Sequence, residues 1–323
     1  MEKVSNLTIQ KEAAYVYNRK DLLGLRDLSA DEIMTILNTA KDMKEKIDNP
    51  ELRTDVLSKS SIVTLFYENS TRTKMSFMLA GEYQGAIVKD LGVATSSVPK
   101  GESLIDTGVT LDQMGTNVMI IRHQHTGAAH ILAKNVKASV INAGDGSNEH
   151  PTQALLDLYT IMERKGGFEG LKVVILGDIS HSRVARSNAF GLTKLGAKVT
   201  LAGPSTLVSS SMKSLGVQVS TDIPSAIKDA DVVMGLRIQF ERQRNMPFPN
   251  LREYSNLFGV NNEILKYAKK DVLVMHPGPV NRGVELSTEV IDGKHSVINV
   301  QVKNGVAVRM AVLKLLTEAN EKR

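Results

Sequence analysis

Ser70-Thr71-Arg72-Thr73 sets three hydroxyls and a guanidinium four residues past the end of an apolar run, Ile62 to Phe66, and directly before a helical pattern. A helix start offers unpaired backbone N–H groups and partial positive charge, which favour an anion there. Arginine adds a planar fork that binds phosphate through two parallel hydrogen bonds. Serine and threonine also cap helices without any ligand, but a cap uses one hydroxyl and no arginine. The cluster therefore reads first as an anion site. Arg122-His123 closes a second apolar run, Asn117 to Ile121, where the arginine suits either a ligand or a surface ion pair. His150-Pro151-Thr152-Gln153 follows a glycine-rich turn and opens another helix, since proline fits a first helical turn. Its histidine is either a substrate contact or a polar residue satisfied locally. Two further arginines, Arg183 and Arg237, follow later strands.

Other chemistry is disfavoured residue by residue. The chain has no cysteine, which removes disulfides, thiolate metal sites and cysteine nucleophiles. His123-Gln124-His125 has an H-x-H spacing, but no second set of strand-end ligands completes a metal site. Leu176-Gly177-Asp178-Ile179-Ser180-His181-Ser182-Arg183 imitates a dinucleotide-binding turn, yet lacks the G-x-G-x-x-G spacing, and Arg183 stands where a pyrophosphate needs bare backbone. Nucleic acid is a poor partner for a chain with no tryptophan, 4% aromatics and a mild net charge of +5 from dispersed basic residues. No run approaches the roughly 18 apolar residues of a membrane span. Residues 1–24 lack the apolar middle of a signal peptide and read as an N-terminal extension of a cytoplasmic protein.

The elements that must position these residues alternate between strand and helix, which predicts an α/β protein with parallel sheets. At 323 residues, two domains are expected. Ser29-Ala30-Asp31-Glu32 fits a capping box, with Ile33, Leu37, Ala40 and Ile47 along one face of the helix it opens. The helix after Thr73 is expected to carry Met75, Met78, Leu79 and Ala86 on one side, with Gly85 near its end. Strands are predicted at 62–66, 117–121, 140–141, 171–176, 198–201, 231–234 and 271–275, and a last helix from Val306 to Ala319 is placed to brace the first domain. The boundary falls along the helix 151–165, giving a first domain of 1–150, joined by the C-terminal helix 306–323, and a second of 151–305. The polar clusters sit at carboxyl ends of strands, where open α/β sheets bind ligands. Two such domains face to face make a cleft lined from both sides.

Taken together, Ser70 to Thr73 after Glu68, Lys100-Gly101-Glu102-Ser103, Arg122-His123, Asn142 to Gln153, His181 to Arg183, Arg237-Ile238-Gln239 and His276-Pro277-Gly278-Pro279 resemble the aspartate and ornithine carbamoyltransferases, over about residues 25 to 316. The resemblance implies two α/β domains around an interdomain active site, a homotrimer with shared sites, and no cofactor or metal. It implies that Ser70, Thr71, Arg72, Thr73, Arg122, His150, Gln153 and the Gly278 backbone contact carbamoyl phosphate, with Ser96 and Lys100 reaching in from the neighbouring chain. Arg72, Thr73, Arg122 and His150 would carry the catalysis. Lys100, Arg183, Arg237, Gln239 and Pro279 would hold the amino acid, and the peptide before Pro279 would be cis. The ornithine branch uses a His-Cys-Leu-Pro turn and an acidic loop; His-Pro-Gly-Pro with two arginines points to the aspartate branch. A noncatalytic anion-binding homologue would be expected to lack Arg122, His150 or Lys100, all present. Lys74 stands where many relatives carry a second arginine, outside the four-residue motif. Glu68, Arg183 and Glu241 or Arg242 are candidates for ion pairs holding a closed state. A regulatory chain or another enzyme of pyrimidine synthesis remains an open partner.

Overall fold

Two parallel sheets carry the chain, and each reverses its winding at a strand pair that ends in the residues singled out above. The computed structural model describes residues 16–92, 101–238 and 250–323. The first sheet has the order β2-β1-β3-β4, with β1 at Ser61–Phe66, β2 at Ile87–Leu91, β3 at Val118–His123 and β4 at Ser139–Asp145. Its helices are α1 (Ala30–Asp48), α2 (Thr71–Glu82), α3 (Leu104–Gln113) and α4 (Ala128–Asn135). Helix α5 (Pro151–Lys165) leads to the second sheet. That sheet has the order β7-β6-β5-β8-β9: β5 Lys172–Leu176, β6 Lys198–Ala202, β7 Gln218–Ser220, β8 Val232–Gly235 and β9 Leu273–Met275. Around it lie α6 (Arg183–Lys194), α7 (Ile223–Ile227), α8 (Leu251–Phe258), α9 (Asn262–Leu265) and α10 (Thr288–Ile291), before the long α11 (Ile298–Glu321) returns.

The connections place the chemistry. In the first sheet the chain winds outward from β1 to β2, then restarts on the other side at β3, so the crevice lies beyond the ends of β1 and β3. Those ends lead into Glu68 to Thr73 and into Arg122-His123. In the second sheet the reversal lies between β5 and β8, whose ends lead to Arg183 and Arg237. Both arginine sets therefore sit where a doubly wound sheet leaves room for a ligand.

Helix α5 is buried from Pro151 through Ile161, so it has no solvent face for most of its length. Gly166 ends it at φ 81°, a left-handed conformation that glycine adopts without a Cβ clash. Helix α11 crosses back to the first half: Gln84 Nε2 donates to the Met310 carbonyl at 3.1 Å, and Asn320 Nδ2 to Ser139 Oγ at 2.8 Å. It begins two turns earlier than the apolar pattern suggests, because Gln301 and Asn304 are buried as hydrogen-bonded polar groups rather than as apolar ones.

Three other expectations are corrected. Helix α2 buries Thr73, Ser76, Phe77, Ala80 and Gly81, while Met75 is 49% exposed; small residues let the helix approach closely, and of its large apolar side chains Phe77 alone is fully buried. Strand β2, absent from the sequence reading, is a half-exposed edge whose Asp90 accepts from Thr64 Oγ1 at 2.6 Å and pairs with Lys74. Leu22, in the supposed extension, is fully buried: its N–H donates to the Val140 carbonyl and its carbonyl accepts from Asn142 N–H, both at 2.9 Å, alongside β4. Among the described residues no helix is long and apolar enough to cross a membrane.

Candidate active site

Ser70 is the N-cap residue of α2, yet its hydroxyl makes no capping hydrogen bond. Thr71 and Arg72 are exposed at the helix start and Thr73 is buried below them. The first turn of α2 contains no acidic side chain. Its N–H groups and partial positive charge are left to an outside anion. Partial burial, then the neighbouring cation of Arg237, lowers the pKa of Arg72 below the ordinary arginine value, a repulsion that an anion between them relieves.

The turn after β9 closes on the same arginine. Gly278 has φ 64°, and a Cβ there would come within 3.1 Å of Arg72 Cζ, so glycine serves both the left-handed backbone and the close approach. The Gly278–Pro279 peptide is cis. Gly278 N–H donates to His276 Nδ1 at 2.8 Å; His276 Nε2 therefore carries the proton and donates to Glu285 Oε1 at 3.1 Å. Glu285 also accepts from Asn281 N–H at 2.7 Å, which pins both ends of the turn.

Glu68 links the two halves. It accepts from Arg122 Nη2 at 2.7 Å and from Arg183 in a fork, Nη2 at 2.6 Å and Nη1 at 3.0 Å. The expected Glu68–Arg183 ion pair is thus present; its other named partners, Glu241 and Arg242, lie outside the described residues. Strand pairing between β3 and β4 slips beside Arg122: Ile121 faces Asn142, but His123 faces Asp145. The slip includes Gly144, at φ 117°, and a Cβ there would meet the Arg183 guanidinium at 2.8 Å. This irregularity makes room for an arginine from the other half.

His150 precedes α5 and is 4% exposed. Its N–H donates to Ser187 Oγ of α6 at 3.0 Å, while its Nδ1 has no hydrogen-bond partner among the described residues. Burial, followed by the positive fields of Arg122, Arg183 and Arg309, holds its pKa well below the usual histidine value. The ring is neutral near pH 7 and keeps one N–H to donate and one nitrogen to accept. Gln153, one helical turn on, donates Nε2 to Asp157 Oδ1 at 2.9 Å.

The structure thus brings Arg72, at the start of α2, beside Gly278 and Arg237, and Arg122, Arg183 and His150 together near Glu68, with Gln153 one turn beyond His150. Ser96, Lys100 and Gln239 lie outside the described residues. The His123–His125 spacing resolves into packing: the rings lie 5.0 Å apart, and His125 N–H donates to His123 Nδ1 at 2.9 Å. Among the described residues no group of three His, Cys, Asp or Glu could hold a metal. Sequence reasoning passed over Asp157, Ser187, Gln301 and Glu285, which support the site from behind. Only Asp157 left a signal, an acid four residues after Gln153 in an otherwise apolar stripe.

A family model described as the aspartate/ornithine carbamoyltransferase carbamoyl-P binding domain matches residues 20–163, and one described as the Asp/Orn binding domain matches residues 169–316. The chain belongs to the aspartate/ornithine carbamoyltransferase family. Within it, the chain is 61% identical over 298 residues to the aspartate carbamoyltransferase catalytic subunit of Ruminiclostridium cellulolyticum, spanning 92% of this chain and 95% of that one. It is likewise 61% identical over 302 residues to that of Acetivibrio thermocellus, spanning 94% and 97%. Among solved structures, aspartate transcarbamoylase from Trypanosoma cruzi in complex with carbamoyl aspartate and phosphate matches with a TM-score of 0.83 at 29% identity, over 92% of this chain and 96% of that one. Ornithine carbamoyltransferase from Pyrococcus furiosus matches with a TM-score of 0.82 at 31% identity, over 94% and 98%. The fold is shared by both branches of the family, while these relatives at 61% identity carry the aspartate carbamoyltransferase name.

Proposed function

We propose that this chain transfers the carbamoyl group of carbamoyl phosphate to the amino group of L-aspartate, giving N-carbamoyl-L-aspartate and phosphate. The observation that carries this reading is the uncapped start of α2, with Arg72 seated against the Gly278 turn from the opposite half. The first half, residues 1–150 with the C-terminal helix, binds carbamoyl phosphate, and residues 151–305 bind aspartate. Ser70, Thr71, Arg72 and Thr73 hold the phosphate, and Arg122 and the neutral His150 donate to the carbonyl oxygen. Gln153 faces the carbamoyl nitrogen, and Arg183, Arg237 and Gln239 hold the two carboxylates, with the Pro279 turn beside them.

The aspartate amine attacks the carbonyl carbon. Negative charge develops on the carbonyl oxygen, where Thr73, Arg122 and His150 stabilise it, and collapse of the tetrahedral intermediate breaks the bond to the phosphate oxygen. The leaving phosphate takes the amine proton, so no protein base is assigned. Catalysis is then orientation plus electrostatics, with approach of the two halves excluding water. No cofactor takes part. Ser96 and Lys100 complete the site from a neighbouring copy of the chain, in a cytoplasmic homotrimer serving pyrimidine synthesis. The aspartate assignment is supported by two arginines for two carboxylates and by the names of the relatives.

The test offers carbamoyl phosphate with aspartate, with ornithine and alone, and measures released phosphate. Release above the blank with aspartate only is expected. Release with ornithine only overturns the substrate, and no release with either overturns the reaction.

A further inference from the structure

Asp157 of α5 is fully buried, and each partner of its carboxylate is an amide nitrogen. Oδ1 accepts from Gln153 Nε2 at 2.9 Å and from Gln301 Nε2 of α11 at 2.8 Å; Oδ2 accepts from Asn188 Nδ2 of α6 at 2.8 Å. All three partners donate, so the site is built for an acceptor on both oxygens, which the ionised acid supplies and the protonated acid does not. Arg309, itself buried with its guanidinium 5.0 Å above the Phe77 ring, attracts Asp157 from α11 without a hydrogen bond to it. A carboxylate out of water with no bonded cation is costly, and fold alone gives no reason to keep one there.

What the carboxylate fixes is the sense of two side-chain amides. With Nε2 committed to Asp157, Gln153 has its carbonyl oxygen to offer, an acceptor matched to an N–H₂ group. With Nε2 likewise committed, Gln301 turns its Oε1 to the backbone N–H of His276 at 3.0 Å. His276 begins the turn whose Gly278 seats Arg72. One buried acid thus orders groups on both sides of the crevice.

We propose that Asp157 is a positioning residue: by accepting from Gln153 and Gln301 together, it leaves the Gln153 carbonyl oxygen for the carbamoyl N–H₂. This rests on the carbamoyl-transfer reading above. Its signature is selectivity, because acetyl phosphate carries a methyl where carbamoyl phosphate carries the amino group and gains nothing from a fixed carbonyl acceptor.

The experiment compares the full chain with Asp157→Leu, which removes the acceptor at similar size, measuring kcat/KM for carbamoyl phosphate at saturating aspartate and the inhibition constant of acetyl phosphate. The leucine variant is expected to lose about tenfold in kcat/KM for carbamoyl phosphate, with acetyl phosphate inhibition changed less than twofold. Equal weakening toward both anions, or no change toward either, overturns the proposal. Should the variant fail to fold, the unaltered protein is read against pH. Burial pushes Asp157 up to about 7, against the lowering effect of its three amide donors, so selectivity for carbamoyl phosphate over acetyl phosphate should fall as pH drops from 8 to 6. Burial, then the fields of Arg122, Arg183 and Arg309, holds His150 well below its usual value, and Arg309, brought down to about 9 by burial, stays a cation in that window. Constant selectivity across the window overturns the proposal. Absence of any phosphate release by the unaltered chain with aspartate removes the reading and this inference together; release with unaltered selectivity removes only the role of Asp157.

Discussion

Helix α1 starts at Ser29 and helix α2 at Ser70, and the two serines have different work. Ser29 Oγ accepts from Glu32 N–H at 3.1 Å, while Glu32 returns to Ser29 N–H at 2.7 Å, a reciprocal cap. Asp31 and Glu32 also place negative charge in the first turn. The start of α1 satisfies its own donors and its own dipole. The start of α2 does neither: Ser70 makes no cap bond, and Arg72 adds positive charge where a helix start already has it. Elsewhere among the described residues, the helices with serine, aspartate or asparagine at the N-cap use that side chain as a cap, as Ser103 and Ser182 do. An identical residue type at an identical position marks stability when its donors are filled and marks a binding site when they are left open.

The comparison breaks most visibly at Arg72. Arg72→Ala is expected to reduce turnover by at least about 10²-fold, the scale for removing a donor from developing charge. Phosphate release near the unaltered rate would return Ser70 to Thr73 to the status of a plain helix start. A smaller effect is expected at Glu68, whose carboxylate gathers Arg122 and Arg183. Glu68→Gln keeps the shape but replaces a charged acceptor for two guanidinium groups, and about a tenfold loss in kcat/KM for aspartate should follow. Unchanged kinetics would class the cluster with surface ion pairs that contribute little.

Much of this arrangement was legible in the residues because it lies at points where chain direction, charge and backbone type change together. Ser70 to Thr73, Arg122, Pro151 and Gly278 all sit at strand ends or helix starts, and α/β winding brings such points to one crevice. What escaped has a common physical cause, which is burial of polar groups. Gln301 and Asn304 look like solvent-facing residues, yet they are buried and donate to Asp157 and, at 2.9 Å, to Thr160 Oγ1, so α11 begins earlier than its apolar stripe. Thr73 and Ser76 are buried where Met75 is not, which inverted the expected face of α2. Strand β2 hid for the converse reason: an edge carrying Lys89 and Asp90 has no alternating apolar pattern to read. Local pattern reports where apolar side chains go; partners for buried polar ones come from elements distant in the chain.

The finest test exchanges the two serines for alanine one at a time. Ser29→Ala removes a filled cap, so stability should fall by about 1 kcal/mol, seen as a lower midpoint in urea, with turnover unchanged. Ser70→Ala removes a hydroxyl that caps nothing, so the urea midpoint should hold while turnover at low carbamoyl phosphate falls about three- to tenfold, the scale of one neutral hydrogen bond. The opposed pattern is what separates the two helix starts, since either variant alone has ordinary explanations. If Ser70→Ala loses stability and keeps its rate, then Ser70 is a cap after all and the open donors of α2 play no part in holding phosphate. If both variants lose rate, the anion is felt as far as α1, and the contrast drawn between the two starts does not hold.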